Sequence, residues 1–574
     1  MIGIFVRTRL PVALALVGLV LLILGIGQRT WWTPADTVTA ASPKDAKAAP
    51  LTVIDGATRD VRSGTVTVTV KAPGSFVVAA GRTDDVNAWV DGAAHNTMTG
   101  ASADLKSLQE KYTAGDAKAP NPSGADLWEH EESGNGELKY TWNLPADGNW
   151  SLLVASDGTA PAPSDISVTW PNDNSTPWAV PLIVLGVIAL LAGIALFLLG
   201  RRGGGPRRGN GGRAASGAPR TASGPGAASG PGTGGSAPSA FSVRRAAAGG
   251  ALALVLGGTT LGGSVAQAAT TPAPSPSAAS PAPAAPVVTD SQLARILEQT
   301  AGVVAKADAA KDAGQLKPRV AGVALETRSA NYKIRSKVGS YQPAAPVSAT
   351  KLLTSVISTK REWPRDVVAV TQGPNNTVPQ LLTLEQTGPR ENYQLVGASP
   401  LLPGMTFPNA KPEGADVLQP GDAAGLKISA KQALDGLGDR LTSAGSSWAD
   451  KIADNAYVKD TLSYEQALVK STANGKLSFS HKPVEKDTRV FRTADGGALV
   501  VGHLEFGIDG TPKNSGDKLV VNDDAAALAG AKESTTGMEL TFGESVMVYV
   551  PPAGSNDKLQ VVGATRGLAG AKFK

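Results

Sequence analysis

Trp178-Ala-Val-Pro-Leu-Ile-Val-Leu-Gly-Val-Ile-Ala-Leu-Leu-Ala-Gly-Ile-Ala-Leu-Phe-Leu-Leu-Gly200 runs for 23 residues without a charge and stops at Arg201-Arg202. At about 1.5 Å rise per residue a helix of this length crosses a hydrocarbon layer of about 30 Å, and in lipid it satisfies its own backbone hydrogen bonds. A transmembrane helix over 178–200 is therefore the fixed point from which the chain is divided. Leu10–Gly27 is a second uncharged run, of 18 residues, with Arg7 and Arg9 before it and Trp31 and Trp32 after it. Those indoles, like Trp178, suit the headgroup layer. No small-x-small cleavage site ends the run, so 10–27 reads as a signal-anchor. Ala246–Ala269 is interrupted by six glycines. It nevertheless has the order that signal peptidase recognises: Arg244-Arg245, a short apolar centre at Ala251–Leu256, then Ala266-Gln267-Ala268. It is a third transmembrane helix or an internal signal peptide cut after Ala268.

The 574 residues suffice for several domains, and 66 Gly with 40 Pro announce low-complexity connectors between them. The absence of cysteine excludes disulfides, zinc ribbons, iron–sulfur clusters and thiol catalysis, and four histidines argue against a His-rich metal site. The formal charge of +5 is local. Arg7, Arg9 and eight arginines between 201 and 245 (including Arg201, Arg202, Arg207, Arg208, Arg244 and Arg245) account for it, and the rest of the chain carries −5. Basic clusters flanking apolar runs indicate membrane orientation, not a nucleic-acid footprint. The resulting layout is a cytoplasmic 1–9, a span at 10–27, an extracytoplasmic domain at 28–177 with core 50–171, and a span at 178–200. A Gly/Arg-rich cytoplasmic linker follows at 201–245, then the third apolar segment at 246–269 and a Pro/Ala stalk at 270–288. Two extracytoplasmic domains, 289–425 and 426–574, complete it. Six prolines between Thr270 and Pro286 make the stalk extended, able to hold the next domain up to roughly 50 Å from the bilayer.

In the first outer domain, Thr65–Val70, Glu137–Leu144, Trp150–Val154 and Ile166–Trp170 alternate with period two between Gly, Pro, Asn and Asp clusters, which favours an antiparallel sandwich. Ala101, Leu105, Leu108 and Tyr112 suit one face of a short helix. Parity places Trp142, Trp150 and Trp170 in the core. It projects Trp89 to the opposite face from Val86, Ala88 and Val90, and leaves Trp128 and His130 in a loop. Trp89, Trp128 and His130 are the candidate ligand-binding residues.

Residues 289–574 carry an internal echo. Tyr393-Gln-Leu-Val-Gly-Ala-Ser399 matches Leu559-Gln-Val-Val-Gly-Ala-Thr565 at an offset of 166, and Gln380–Leu384 aligns with Val546–Val550. Each copy opens with helix, Asp290–Asp312 and Ser429 to about Lys470, with Thr289 and Ser429 as N-caps. Antiparallel strands such as Arg365–Gln372 and Ala498–Ile508 follow. Helix first, then curled sheet, twice over, resembles tandem cystatin-like or nuclear-transport-factor-two-like α+β domains. That resemblance implies an apolar mouth for a small molecule or partner protein, and no catalytic residues come with it. The fold class expected is thus a multi-domain membrane protein: an all-β sandwich ectodomain, a tandem α+β ectodomain, and two or three transmembrane helices.

Chemistry is sparse. Ser348-Ala-Thr-Lys351 has the spacing of a penicillin-binding nucleophile without its partner motifs, and reads instead as a helix N-terminus capped by Ser348. Asp509–Asp517 lacks calcium-loop alternation and reads as a turn. The function expected is a non-catalytic, membrane-anchored envelope protein that displays binding domains, with the lipid bilayer and an envelope protein or polymer as partners, no cofactor and no nucleic acid. The alternatives are an envelope enzyme acting on wall polymer or lipid, for which His481 and His503 are the second region's available histidines, and an accessory subunit of a membrane complex.

Overall fold

The computed structural model describes residues 2–143, 149–202, 285–374 and 377–574. Arg207, Arg208, Arg244, Arg245, Ala266 and Ala268, with the third apolar segment and most of the expected stalk, lie outside them. The chain forms two compact units, one helical and one holding residues 32–175 together with 285–574.

The helical unit consists of α1 (Ile2–Thr30) and α4 (Ala179–Arg202). Within them Arg9–Thr30 and Ala179–Leu199, of mean hydropathy 2.7 and 3.1, are long and apolar enough to cross a membrane; the first lies where a signal sequence would. They pack antiparallel on glycine. A Cβ at Gly18 would lie 2.5 Å from the Leu190 nitrogen, one at Gly186 would lie 2.8 Å from the Leu22 nitrogen, and one at Gly193 would lie 2.8 Å from the Pro11 oxygen. The seven-residue spacing of Gly18–Gly25 and Gly186–Gly193 keeps one small-residue seam facing the partner along both helices. Arg9 and Arg201 consequently occupy the same end of the pair. Trp31, Trp32 and Trp178 are 77%, 56% and 69% exposed.

In the larger unit, residues 37–171 build a single sheet rather than the two of a sandwich. The strands are β1 (Thr37–Ala41), β2 (Leu51–Ile54), β3 (Thr67–Arg82), β4 (His95–Ala101), β5 (Leu108–Thr113), β6 (His130–Thr141), β7 (Trp150–Ala155) and β8 (Asp165–Pro171). Their order is β1-β8-β3-β7-β2-β4-β5, with β6 on β3 and the β2–β4 pair parallel. The 16-residue β3 shifts register between Ala72 and Ser75, pairing with β8 before the bend and β7 after it. That bend curls the sheet until Ala41 N donates to Lys106 O at 3.1 Å, which nearly closes a barrel. Val68, Val70, Tyr140, Trp142, Leu152, Ile166 and Trp170 fill its inside. Leu51, Val53, Val77, Ala79 and Leu153 face outwards into a second core, so β7 is buried on both faces.

Two further expectations are corrected. Residues 101–112 form the end of β4, a turn at 102–107 and most of β5, and not a helix, because Asp104 Oδ1 takes Ser102 Oγ at 2.6 Å and Lys106 N at 3.3 Å, and Leu105 is left-handed with φ 55°. Residues Thr83–Val90 form helix α3, preceded by the short α2 (Gly56–Arg59). Val86, Trp89 and Val90 share the inward face of α3 at helical spacing, so the alternation seen at Val86, Ala88 and Val90 is coincidental.

From residue 285 the order is helix α5 (Asp290–Ala310), α6 (Gly322–Lys337), then β9 (Lys351–Ile357), β10 (Arg365–Gln372), β11 (Gln380–Gln386) and β12 (Gln394–Pro400). The second half gives α7 (Ala430–Thr442), α8 (Ala456–Ser471), β13 (Gly475–Pro483), β14 (Arg489–Arg492), β15 (Ala498–Pro512), a β16 (Leu519–Val520)–β17 (Glu533–Ser534) ribbon around α9 (Asp523–Ala529), β18 (Met538–Val550) and β19 (Gln560–Phe573). Thr289 and Ser429 both cap with a reciprocal Gln, at 292 and 432. The single helix expected from Ser429 to Lys470 is two, α7 and α8. The strand orders β12-β11-β10-β9 and β19-β18-β15-β13 correspond, and the sequence echo falls on β12 and β19.

Strand parity sorts the side chains into layers. Val367, Ala369 and Leu382 meet the helical face over the first sheet, and Val500, Val546 and Val561 meet α7 and α8. Val368, Val370 and Leu381 meet Leu499, Val501, Met547 and Val562 between the sheets. The two halves are therefore stacked as helices, sheet, sheet, helices. Where β12 and β19 cross, the echoed glycines make the approach possible: a Cβ at Gly397 would lie 2.8 Å from Ser545 Oγ, and one at Gly563 would lie 2.9 Å from Ser399 Oγ. Ser348 lies in irregular chain before the exposed first residue of β9, Lys351, so this pair is not on a helix and Ser348 caps none. Asn514 and Asp517 close the turn after β15, with Asn514 N donating to Asp517 Oδ2 at 2.8 Å.

Candidate functional site

Trp89 and Trp128 are each 1% exposed, with ring centroids 5.9 Å apart. Trp128 Nε1 donates to Pro122 O at 2.6 Å. Rings this deeply covered cannot stack on a soluble ligand. They sit in the outward-facing core of the barrel, against which Trp363 from the second region also packs. His130 is separate from them: it starts β6, is exposed, and lies 3.4 Å from Glu132. The three candidate residues are thus not gathered into one pocket.

What surrounds the tryptophans is an interface between the barrel and the chain from 285 onwards. Asp126, two residues before Trp128, is buried. It binds the Arg319 guanidinium through both oxygens, with Arg319 Nη2 to Asp126 Oδ1 at 3.0 Å, and its Oδ2 also accepts from Tyr393 N at 2.8 Å. Asp85 on α3 lies 2.7 Å from Arg365 on β10, both 1% exposed. That contact is an ion pair whose angle falls outside hydrogen-bond geometry. Burial pushes the Asp85 carboxyl above its ordinary pKa, and Arg365 pulls it back only in part. Arg365 also lies over the Trp363 ring, 3.9 Å from its centroid, and donates to Arg361 O. Around the rim, Arg390 Nε donates to Trp89 O at 2.9 Å and Gln292 Nε2 to Leu127 O at 2.8 Å. The N-cap Thr289 donates to Glu129 at 2.5 Å, and Arg295 donates to Trp128 O.

The second region therefore rests on the first instead of standing off on a stalk. Val287 and Val288, placed in the stalk by composition, are buried in the core under α5. The signal that was available in sequence is charge set directly against an apolar run: Asp126 before Leu-Trp, and Arg365-Asp366 opening Val-Val-Ala-Val. Such charges are costly to bury unless paired.

The second half holds a different polar cluster. His481 is enclosed, with Nδ1 2.7 Å from Glu544 Oε2 and Nε2 3.0 Å from Glu465 Oε1. Tyr457 OH donates to Glu544 Oε1 at 2.5 Å, and the imidazole stacks on Phe506 at 4.2 Å. Burial alone would lower the His481 pKa, but its bonds to the two carboxylates outweigh burial and raise it. His503 is on the other face of the sheet, 3.0 Å from Asp487, in the wall of a cleft of about 210 Å³ between the halves. The structure does not bring the two histidines together.

Two larger cavities adjoin this cluster. One, of about 670 Å³, lies between the end of α8, α9 and the far ends of β13, β15, β18 and β19. The other, of about 710 Å³, lies between α6, the 340–347 segment and β12. Tyr341, Asp524, Arg566, Gly567 and Leu568 belong to the walls of both. Arg566 lies over Tyr464, 4.5 Å from its ring centroid, and donates to Thr461 Oγ1 at 3.2 Å. Among the described residues no carboxylate comes within ion-pair distance of it.

The family described as Domain of unknown function (DUF8094) matches residues 284–572, half of the chain and both stacked halves together. No curated protein and no solved structure matches the chain.

Proposed function

The chain belongs to the DUF8094 family, and on that premise we propose that it is a non-catalytic, membrane-anchored envelope protein that displays the barrel and the family domain as one docked extracytoplasmic scaffold. The observation that carries this reading is the burial of Asp126–Arg319 and Asp85–Arg365 across the contact between them. Charges withdrawn from water are tolerated where each keeps its partner, so two such pairs across one contact mark surfaces that are complementary to each other.

The antiparallel α1–α4 pair supports anchoring, since the basic ends, Arg9 and Arg201, share one end as the rule for short loops requires. If both helices span, residues 32–175 and residue 203 are on opposite sides of the bilayer. The docked family domain can then reach the barrel only if the chain between 202 and 285 crosses once more, and Ala246–Ala269 is the apolar stretch in that interval. A binding role is supported by the enclosure of Glu465–His481–Glu544, none of which lines the adjoining cavities.

The absence of cysteine makes the test direct. Single Lys118→Cys, Lys558→Cys and Ser216→Cys variants in intact cells are treated with a membrane-impermeant maleimide. The first two are expected to label and the third only after lysis; protection of Lys558→Cys in intact cells would overturn the shared-side layout. His481→Ala with His503→Ala separates the enzyme alternative, under which turnover of wall polymer or lipid would be lost. Recovery of a stoichiometric membrane partner would favour the accessory-subunit alternative.

A further inference from the structure

The cavity of about 670 Å³ falls within the range of about 300–1,000 Å³ in which proteins hold small ligands. Its floor is a core left incompletely covered. Leu519, Met538 and Leu568 are buried there, yet Leu477, Leu540 and Phe542, packed on the same cluster, remain partly exposed along the wall. A sheet end with this composition would ordinarily be filled by its own side chains. Here α9 and Tyr341 border it without filling it.

In its wall stands Arg566, whose guanidinium faces aromatic rings and a hydroxyl; its cross-strand neighbour Glu544 is engaged by His481 and Tyr457, and among the described residues no carboxylate lies within ion-pair distance of the guanidinium. A half-buried guanidinium with no direct ion-pair partner can receive an anion, since its fork presents several donors to a carboxylate or phosphate. The carboxylate on the shared wall, Asp524, is engaged by Asn522 Nδ2 at 3.3 Å.

We propose that this cavity binds a single-chain amphiphile, its acyl chain against Leu477, Leu540 and Phe542 and its anionic head at Arg566. This deepens the binding role proposed above, and rests on it only for the supply of amphiphile from the membrane. An apolar channel alone would accept any chain. The guanidinium adds selectivity for a charged head, whether the carboxylate of a fatty acid or the phosphate of a lysophospholipid.

The test uses the full chain in its own membranes and a long-chain fatty acid bearing a photoactivatable diazirine, with labelled peptides mapped after irradiation. Label is expected in the 468–477 and 538–542 segments, and competition by unlabelled fatty acid or lysophosphatidate is expected to exceed that of uncharged monoacylglycerol by about tenfold or more, the margin of a charge-assisted hydrogen bond. Arg566→Gln should erase that margin and leave competition by monoacylglycerol unchanged, while Arg566→Lys should restore part of it. Preference for the fatty acid over lysophosphatidate would assign a carboxylate head, and the reverse a phosphate. Label confined to α1 and α4, or an unchanged margin in an Arg566→Gln protein that melts like the wild type, would overturn the proposal. The maleimide test above reports sidedness independently, so failure here and failure there are distinguishable.

Discussion

Asp126 does three things at once: it pairs with Arg319, accepts from Tyr393 N, and holds the loop that carries Trp128. Asp126→Asn removes the charge and leaves Arg319 buried and unpaired, which should destabilise the larger unit by about 3–5 kcal/mol in thermal or denaturant unfolding. Replacing both partners by apolar residues of similar volume should cost much less, and a double-mutant cycle would show the difference. Gly563 is a test of packing rather than charge. Its missing side chain admits Leu381 and Ser399 from the facing sheet, so Gly563→Ala should lower stability by about 1–3 kcal/mol through overpacking. His481 makes the stability of the second half depend on pH. The groups facing it are Glu465 and, through Glu544, Tyr457, with Arg566 opposite Glu544 on β19. Because its folded pKa is raised above the ordinary 6.5, the charged bridge contributes fully below 6.5 and is lost as pH rises through the raised value. The melting temperature of the wild type should therefore exceed that of His481→Gln most at mildly acidic pH, and the gap should narrow as the solution is made alkaline. A gap that is constant with pH would refute a charged bridge.

Among the elements, the α1–α4 pair is the most sharply testable. Its axes approach as closely as they do because Gly18, Gly25, Gly186 and Gly193 leave no Cβ between the backbones. Gly18→Leu with Gly186→Leu should force the helices several Å apart, towards the roughly 8–10 Å of ordinary helix packing. Spin labels on Gln28→Cys and Trp178→Cys, in a chain with no other thiol, would read the change directly. Both helices were legible in the sequence, since a long uncharged run bounded by arginine has few readings. So were the N-caps at Thr289 and Ser429, and the inward faces of the strands carrying Trp142 and Trp170, because strict alternation over five or more residues leaves one parity to bury. Residues 83–90 and 101–112 were not. Val86, Ala88 and Val90 fit period two while Val86, Trp89 and Val90 fit a helix, and over eight residues only the surface they pack against decides. The interface around Trp128 was illegible for a related reason: Asp126 and Arg319 are 193 residues apart, and no local pattern announces a partner so distant. Trp89 and Trp128 offer large apolar rings, and that same area is what another lobe covers, whereas His130 stays exposed.

For the whole molecule, the docked contact changes what cleavage of the connecting chain would do. A cut after Ala268 on its own would suggest release of the C-terminal part from the membrane. The buried pairs Asp126–Arg319 and Asp85–Arg365, with Gln292, Arg295 and Arg390 bonded to the barrel backbone around them, argue that the cut piece stays. Salt distinguishes the origin of this hold. At 1 M the screening length falls to about 3 Å, which dissolves attraction between exposed charges but barely touches pairs sealed from solvent. With a specific protease site placed near Ser277, beyond the third apolar segment, and cleavage driven to completion, the C-terminal fragment should sediment with the membranes at both 0.15 M and 1 M salt. The same fragment carrying Arg319→Ala and Arg365→Ala should leave with the soluble fraction, since each truncation strands a buried aspartate on the barrel side. Release of the wild-type fragment on cleavage would mean that the covalent connection, and not the interface, keeps the two lobes together.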